Sequence, residues 1–117
     1  LGGDVRIIGP HPDGSPWIIG IVHPRKPTSI IARVALDAGA LATSGDYERY
    51  FEVDGRRYCH IFDPRTGYPA ENRITSVTVI ANQGLTADAL STAIFVLGKD
   101  KTGQLLKEFP ETQIKIY

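Results

Sequence analysis

The chain has 117 residues, enough for one domain with a single core, and 42% of them are hydrophobic, as in an ordinary globular protein. Thirteen Lys and Arg balance thirteen Asp and Glu. That balance excludes a broad electrostatic grip on nucleic acid or on an anionic membrane, so an anionic ligand must be held locally, by a metal, a helix end or a few placed donors.

In chain order, Val5 to Ile8 and Trp17 to Val22 read as strands flanking a turn at His11-Pro12-Asp13-Gly14-Ser15-Pro16. Trp17 is expected in the core, and His11 and His23, beside prolines, on the surface. Ile30, Ala32, Val34 and Leu36 recur with a period of two, which predicts a half-buried strand. Asp37-Ala38-Gly39 turns the chain into another strand near Ala40 to Thr43. Asp54-Gly55 between Phe51-Glu52-Val53 and Arg56-Arg57-Tyr58 predicts a tight hairpin. Ile74 to Ala81 is β-branched and mostly apolar, which predicts a central strand. Leu85 to Leu97 has helical spacing and no proline, and Gly98 is its stop. A second helix is expected from Lys99 to Glu108, ended by Pro110, and Thr112 to Tyr117 as a last strand. The sum is an α+β domain with an antiparallel sheet first and helices late. One cysteine, Cys59, excludes an internal disulfide, and no apolar run reaches the roughly 20 residues of a membrane span. Leu1-Gly2-Gly3-Asp4-Val5, with no starting Met, reads as the middle of a domain, so the chain is expected to be a fragment.

Three constellations bear chemistry. Asp88, Ser91 and Thr92 share one helix face, because residues three and four apart are neighbours there. A carboxylate with hydroxyls is hard-oxygen ligation that suits Mg²⁺. The same pattern also fits an acidic residue in a helix's first turn, where the dipole favours it. Three oxygens from one helix do not complete an octahedral shell, so further ligands must come from elsewhere.

The second constellation is His60-Ile61-Phe62-Asp63-Pro64-Arg65-Thr66-Gly67-Tyr68-Pro69. His60 is a candidate acid or base. Asp63 either orients it or caps the turn that follows. In the third, Ala42-Thr43-Ser44-Gly45-Asp46-Tyr47-Glu48-Arg49-Tyr50, small residues let backbone approach a ligand, Arg49 suits a phosphate and two tyrosines suit a planar ring. It is equally an everyday turn with tyrosines in the core.

The order of these motifs resembles the C-terminal half of the ApbE family of FAD:protein FMN transferases. Gly2-Gly3-Asp4 comes first, then Trp17 to Ile21 with His23-Pro24-Arg25, then Thr43 to Arg49, His60 to Pro69, Ser76 to Ala81, and Ala87-Asp88-Ala89 with Thr92. The resemblance covers Gly2 to Gly98. It implies a T-fold-related α+β domain that uses FAD and Mg²⁺ to attach FMN, through a phosphoester, to a Thr or Ser of a target protein, releasing AMP. Some relatives instead hydrolyse FAD to FMN and AMP, and a non-catalytic flavin-binding module is the third reading.

Carried over position by position, the resemblance makes Asp88 and Thr92 magnesium ligands. Ser91 stands where some relatives have Asp and can also face the metal. His60 assists catalysis, Phe62 matches a position whose flavin contact is expected through backbone, since the side chain there varies, and Ser44 and Asp46 are cofactor-binding candidates that shape the flavin site. The family's N-terminal half supplies most FAD contacts and a further metal ligand from a Lys-Gly segment. Without it, and without the last strand or strands beyond Tyr117, the chain alone is expected to be inactive. Relatives are often lipoproteins of the bacterial cell envelope, so a periplasmic location with an N-terminal lipid anchor is expected over the cytoplasm. Nucleic acid is not expected as a partner.

Overall fold

The computed structural model describes residues 3–117; Leu1, and Gly2 of the first motif, lie outside the described residues. In chain order the elements are β1 (Asp4–Ile7), β2 (Trp17–His23), β3 (Lys26–Leu36), β4 (Gly39–Gly45), β5 (Tyr50–Val53) and β6 (Arg56–Cys59). They continue with β7 (Phe62–Asp63), β8 (Tyr68–Pro69), β9 (Ser76–Ala81), α1 (Gly84–Leu97), α2 (Lys99–Glu108) and β10 (Gln113–Ile116). The expected α+β class, with antiparallel strands and two late helices, is what the chain forms.

The central sheet is antiparallel, in the order β1-β4-β9-β10. Every residue of β9 is buried, because both faces of this strand are covered. On one face Val77, Val79 and Ala81 join Ala40 and Ala42 of β4 against Ala87, Leu90, Ile94 and Phe95 of α1. Alanines at the strand positions let the helix come close to the sheet. On the other face Leu41 and Ile80 meet Ile21 and Val34 of the β2–β3 hairpin. The period-two reading of β3 is thereby met, with Ala32 and Leu36 packed at the edge of this second cluster and Ile30 left exposed.

The strands either side of the His11–Pro16 turn do not pair with each other. β1 pairs with β4, Asp4 opposite Ala42, and β2 pairs with β3. Pro10, Pro12 and Pro16 lack the N–H that a ladder across a tight hairpin needs, whereas only Pro24 and Arg25 separate β2 from β3. Trp17 departs from its expected core position. It is 43% exposed, and its indole N–H donates to the Gly9 carbonyl at 3.0 Å. Its ring meets the His11 ring edge-on, with 4.8 Å between centroids. The indole nitrogen requires a partner, and the loop carbonyl that supplies one lies at the surface. Among the described residues, no helix is long and apolar enough to cross a membrane.

Candidate functional site

Strand β4 and helix α1 build the first part of the site. Alternation along β4 puts Ala40, Ala42 and Ser44 on the α1 side. The Ser44 hydroxyl lies 2.8 Å from the Ser91 hydroxyl and 3.0 Å from that of Thr92. Ser91 is fully buried and donates to the backbone carbonyl of Asp88 at 2.9 Å. It therefore sits inside the strand–helix interface, while Asp88 and Thr92 are exposed. Helical spacing alone put all three on one face. The sheet beneath the helix separates the inward hydroxyl from the two outward groups.

Sequence reasoning gave Asp4 no role. Gly2-Gly3-Asp4 entered only as the first of the ordered motifs, and nothing local tied it to a helix more than eighty positions later. The β1–β4 register places Asp4 beside Ala42, on the face that carries α1. Burial first, and the negative charge of Asp88 second, push the Asp4 carboxyl above its ordinary value. Asp4, Arg6, Ala42, Gly84, Leu85 and Asp88 line a cleft of about 250 Å³ there. Among the described residues neither carboxylate forms an ion pair, and no cluster of three or more His, Cys, Asp or Glu side chains is gathered. Two carboxylates outside any ion pair, with the Arg6 guanidinium bonded to the Asn82 carbonyl, supply hard oxygen donors that suit a divalent cation such as Mg²⁺ and not a zinc site.

The segment that follows β4 is held from several sides. A Cβ on Gly45 would lie 2.5 Å from the Tyr47 ring and 3.2 Å from the Thr75 carbonyl, so the glycine lets the tyrosine fold back on the chain. The Thr75 carbonyl also accepts from the Asp46 N–H at 3.1 Å. Both carboxylate oxygens of Asp46 are taken by the Arg25 guanidinium, each at 2.6 Å, and Arg57 of β6 stands 3.9 Å away. Arg57 also lies over the Tyr50 ring, 4.0 Å from its centroid, and bonds Glu52 at 3.0 Å. Asp46 thus ties the β2–β3 turn to the end of β4 and to the β5–β6 hairpin. That hairpin closes on Asp54 and Gly55, both with positive φ, as the Asp-Gly pair predicted.

The Arg49 carbonyl sets the orientation of His60. It accepts from the His60 backbone N–H at 3.0 Å and lies 3.1 Å from Nδ1 of the exposed ring. A carbonyl only accepts, so Nδ1 carries the proton in the neutral ring and Nε2 keeps a free lone pair, the form a general base needs. Asp63 does not take this role. It accepts from the Arg65 backbone N–H at 2.9 Å and pairs with the Arg65 guanidinium at 2.6 Å. These bonds, the side-chain one foremost, hold its carboxyl at about 2. Of the two readings left open for Asp63, the turn cap is the one formed. Phe62, on β7, is 56% exposed. Tyr50 is exposed and Tyr47 half-buried.

On the sheet's opposite face, a trough of about 1020 Å³ runs between β1 and β2, lined by Val5, Ile7, Ile19, Ile21, Leu41 and Tyr47 among others. Thr43, also in its wall, is fixed by a 2.8 Å contact with the Thr78 hydroxyl.

Comparison with known proteins follows the same line. The profile of the family described as "ApbE family" matches residues 1–116. The chain is 44% identical over 106 residues to the FAD:protein FMN transferase of Haemophilus influenzae, covering 86% of this chain and 30% of that protein. Among solved structures it is similar to the ApbE protein of Thermotoga maritima, with a TM-score of 0.87 and 52% identity over 98% of this chain and 37% of the other. It is also similar to the flavinyl transferase ApbE of Pseudomonas stutzeri in its apo form, with a TM-score of 0.76 and 43% identity over 99% of this chain and 35% of the other. The chain thus spans about a third of the length of these relatives.

Proposed function

The chain belongs to the ApbE family, and from that premise we propose that it is the part of a flavin transferase that brings a divalent-cation site and a histidine base to one reaction. The reaction is transfer of FMN from FAD to a Thr or Ser hydroxyl of a target protein. The observation that carries this reading is the run from Ser44 to Arg49, which holds both groups. Its first residue bonds the Thr92 hydroxyl, and its last offers the carbonyl that orients His60. In between, the Asp46–Arg25 pair anchors the run to the β2–β3 turn.

Mg²⁺, when bound, supplies charge neutralisation at the pyrophosphate of FAD. Asp88 and Thr92 are the residues proposed to hold it, with Ser91 behind them. The Asp88 carboxylate and the Thr92 hydroxyl oxygen are hard donors on adjacent turns of one helix face. His60 accepts at Nε2 the proton of the incoming hydroxyl. That oxygen bonds to the FMN-side phosphorus, the bond from this phosphorus to the AMP oxygen breaks, and AMP leaves with the electron pair. Positioning and charge neutralisation are what such a transfer chiefly requires. Phe62, exposed two residues beyond His60, is proposed to border the flavin.

The test is intact-mass analysis of a Thr-containing acceptor protein incubated with the intact enzyme, FAD and Mg²⁺. The expected result is an FMN-sized mass increase, with AMP formed in equal amount. Asp88→Ala is expected to abolish it. Asp88→Ala retaining full Mg²⁺-dependent transfer would sink the cation assignment. AMP released as fast without acceptor as with it would make water the nucleophile and the protein an FAD pyrophosphatase.

A further inference from the structure

The three hydroxyls between β4 and α1 have only one consistent arrangement of protons. Each hydroxyl has a single proton to donate. Ser91 gives its proton to the Asp88 carbonyl, which cannot donate in return. The 2.8 Å contact between Ser91 and Ser44 is therefore donated by Ser44. With that proton committed, the 3.0 Å contact between Ser44 and Thr92 is donated by Thr92. The chain of bonds runs from Thr92 to Ser44 to Ser91 to the Asp88 carbonyl. Its inner end is buried with Ser91, and its outer end is at the surface with Thr92.

The consequence falls on Thr92. An exposed threonine hydroxyl ordinarily rotates, presenting a proton or a lone pair as solvent dictates. Here its proton is drawn inward, so the oxygen offers only lone pairs outward, on the helix face it shares with the Asp88 carboxylate. A cation repels a proton and binds a lone pair, so fixing this rotor removes an unfavourable orientation before binding and stabilises the ligating one. The Asp88 backbone carbonyl that ends the chain belongs to the residue one helical turn before Thr92. One bonded path thus ties the Thr92 hydroxyl and the Asp88 backbone to the same strand.

We propose that Ser44 is a positioning residue for the cation site: its hydroxyl, held on β4, orients Thr92 as a lone-pair donor without touching the cation. This rests on the reading of Asp88 and Thr92 as the cation's holders. It reassigns Ser44 from shaping a flavin pocket to setting the metal site from behind, and it makes Ser91 the link that fixes the direction of the chain.

The test compares Ser44→Thr with Ser44→Val, which have nearly the same shape, suit a strand equally and differ in the hydroxyl alone. Mn²⁺ binding to the intact protein in the presence of FAD is followed by the loss of the free Mn²⁺ paramagnetic resonance signal. The expected result is an Mn²⁺ affinity on the order of 10-fold weaker in Ser44→Val, with Ser44→Thr close to the parent. Equal affinities in the two variants overturn the proposal. Asp88→Ala is the control for the reading beneath it. If Asp88→Ala leaves Mn²⁺ affinity unchanged, the cation site itself is elsewhere. If Asp88→Ala abolishes binding while the Thr and Val variants agree, only the role of Ser44 fails. Should the valine variant not fold, the same comparison is made between Ser44→Thr and Ser44→Ala.

Discussion

Asp46 and Arg25 form a two-bond pair, each carboxylate oxygen 2.6 Å from a guanidinium nitrogen, and the pair joins the β2–β3 turn to the end of β4. Asp46 is the more buried partner, with its side chain 18% exposed against 45% for Arg25. The exposure of Arg25 limits the strength of the pair through solvent screening. A double-mutant cycle with Arg25→Ala and Asp46→Ala is expected to give a coupling energy of about 1 kcal/mol, shrinking in 1 M salt. A coupling near zero at low salt would mean that the hairpin is held by Ile21 and Val34 packing on Leu41 and Ile80 alone.

His60 is expected to act through Nε2, because the Arg49 carbonyl occupies Nδ1. Replacing it with alanine removes a positioned base, a loss of roughly 10²–10⁴ in transfer rate. His60→Asn keeps a donor for the Arg49 carbonyl while removing the base, and the same loss is expected in that variant. A transfer rate within a few-fold of the parent in either variant would remove the base role.

Asp63 makes stability depend on pH in a definite direction. Its folded-state carboxyl titrates at about 2 and its ordinary value is 3.8, so the carboxylate form is favoured by folding. The stabilisation is fully present above 3.8 and is lost as pH falls through about 2. Asp63→Asn is expected to flatten the urea-midpoint curve between those two values and to leave its shape near neutrality unchanged. An identical slope in variant and parent would show that the Arg65 pairing contributes nothing in solution.

Gly45→Ala is expected to destabilise the fold by about 1–3 kcal/mol. The new methyl meets the Tyr47 ring at 2.5 Å and the Thr75 carbonyl at 3.2 Å, and the carbonyl cannot retreat without loosening the Asp46 N–H bond. Adding Tyr47→Ala to Gly45→Ala is expected to recover part of the loss, since the ring is the closer contact. Chemical denaturation of the two single variants and the double variant measures this non-additivity.

Local pattern made several elements legible. The period of 3.6 and Gly98 marked α1 as expected from Leu85 to Leu97, and it forms from Gly84 to Leu97. The Asp-Gly pair marked the β5–β6 hairpin, and the β-branched run from Ile74 marked β9 as central. These signals are short-range, because helix spacing, turn chemistry and strand alternation are properties of neighbouring residues. Strand partnership was less legible. The sequence set Val5–Ile8 and Trp17–Val22 on either side of a turn, and alternation shows which residues share a face but not which face meets which.

By itself, the sequence determined the α+β class, the helix face carrying Asp88 and Thr92, and the ordered motifs that identify the family. Tertiary structure alone decided how these groups meet. Ser44 lies 48 positions before Thr92 and contacts it at 3.0 Å, because the β4–β9 register and the packing of α1 bring them together. Asp4 reaches the neighbourhood of Asp88 through β1 pairing on β4. His60 is oriented by a backbone carbonyl of Arg49, a group every residue carries and no motif can single out. The physical reason is common to all three cases. A side chain's type is written in the sequence, but its hydrogen-bond partner is set by sheet register and by the faces that pack.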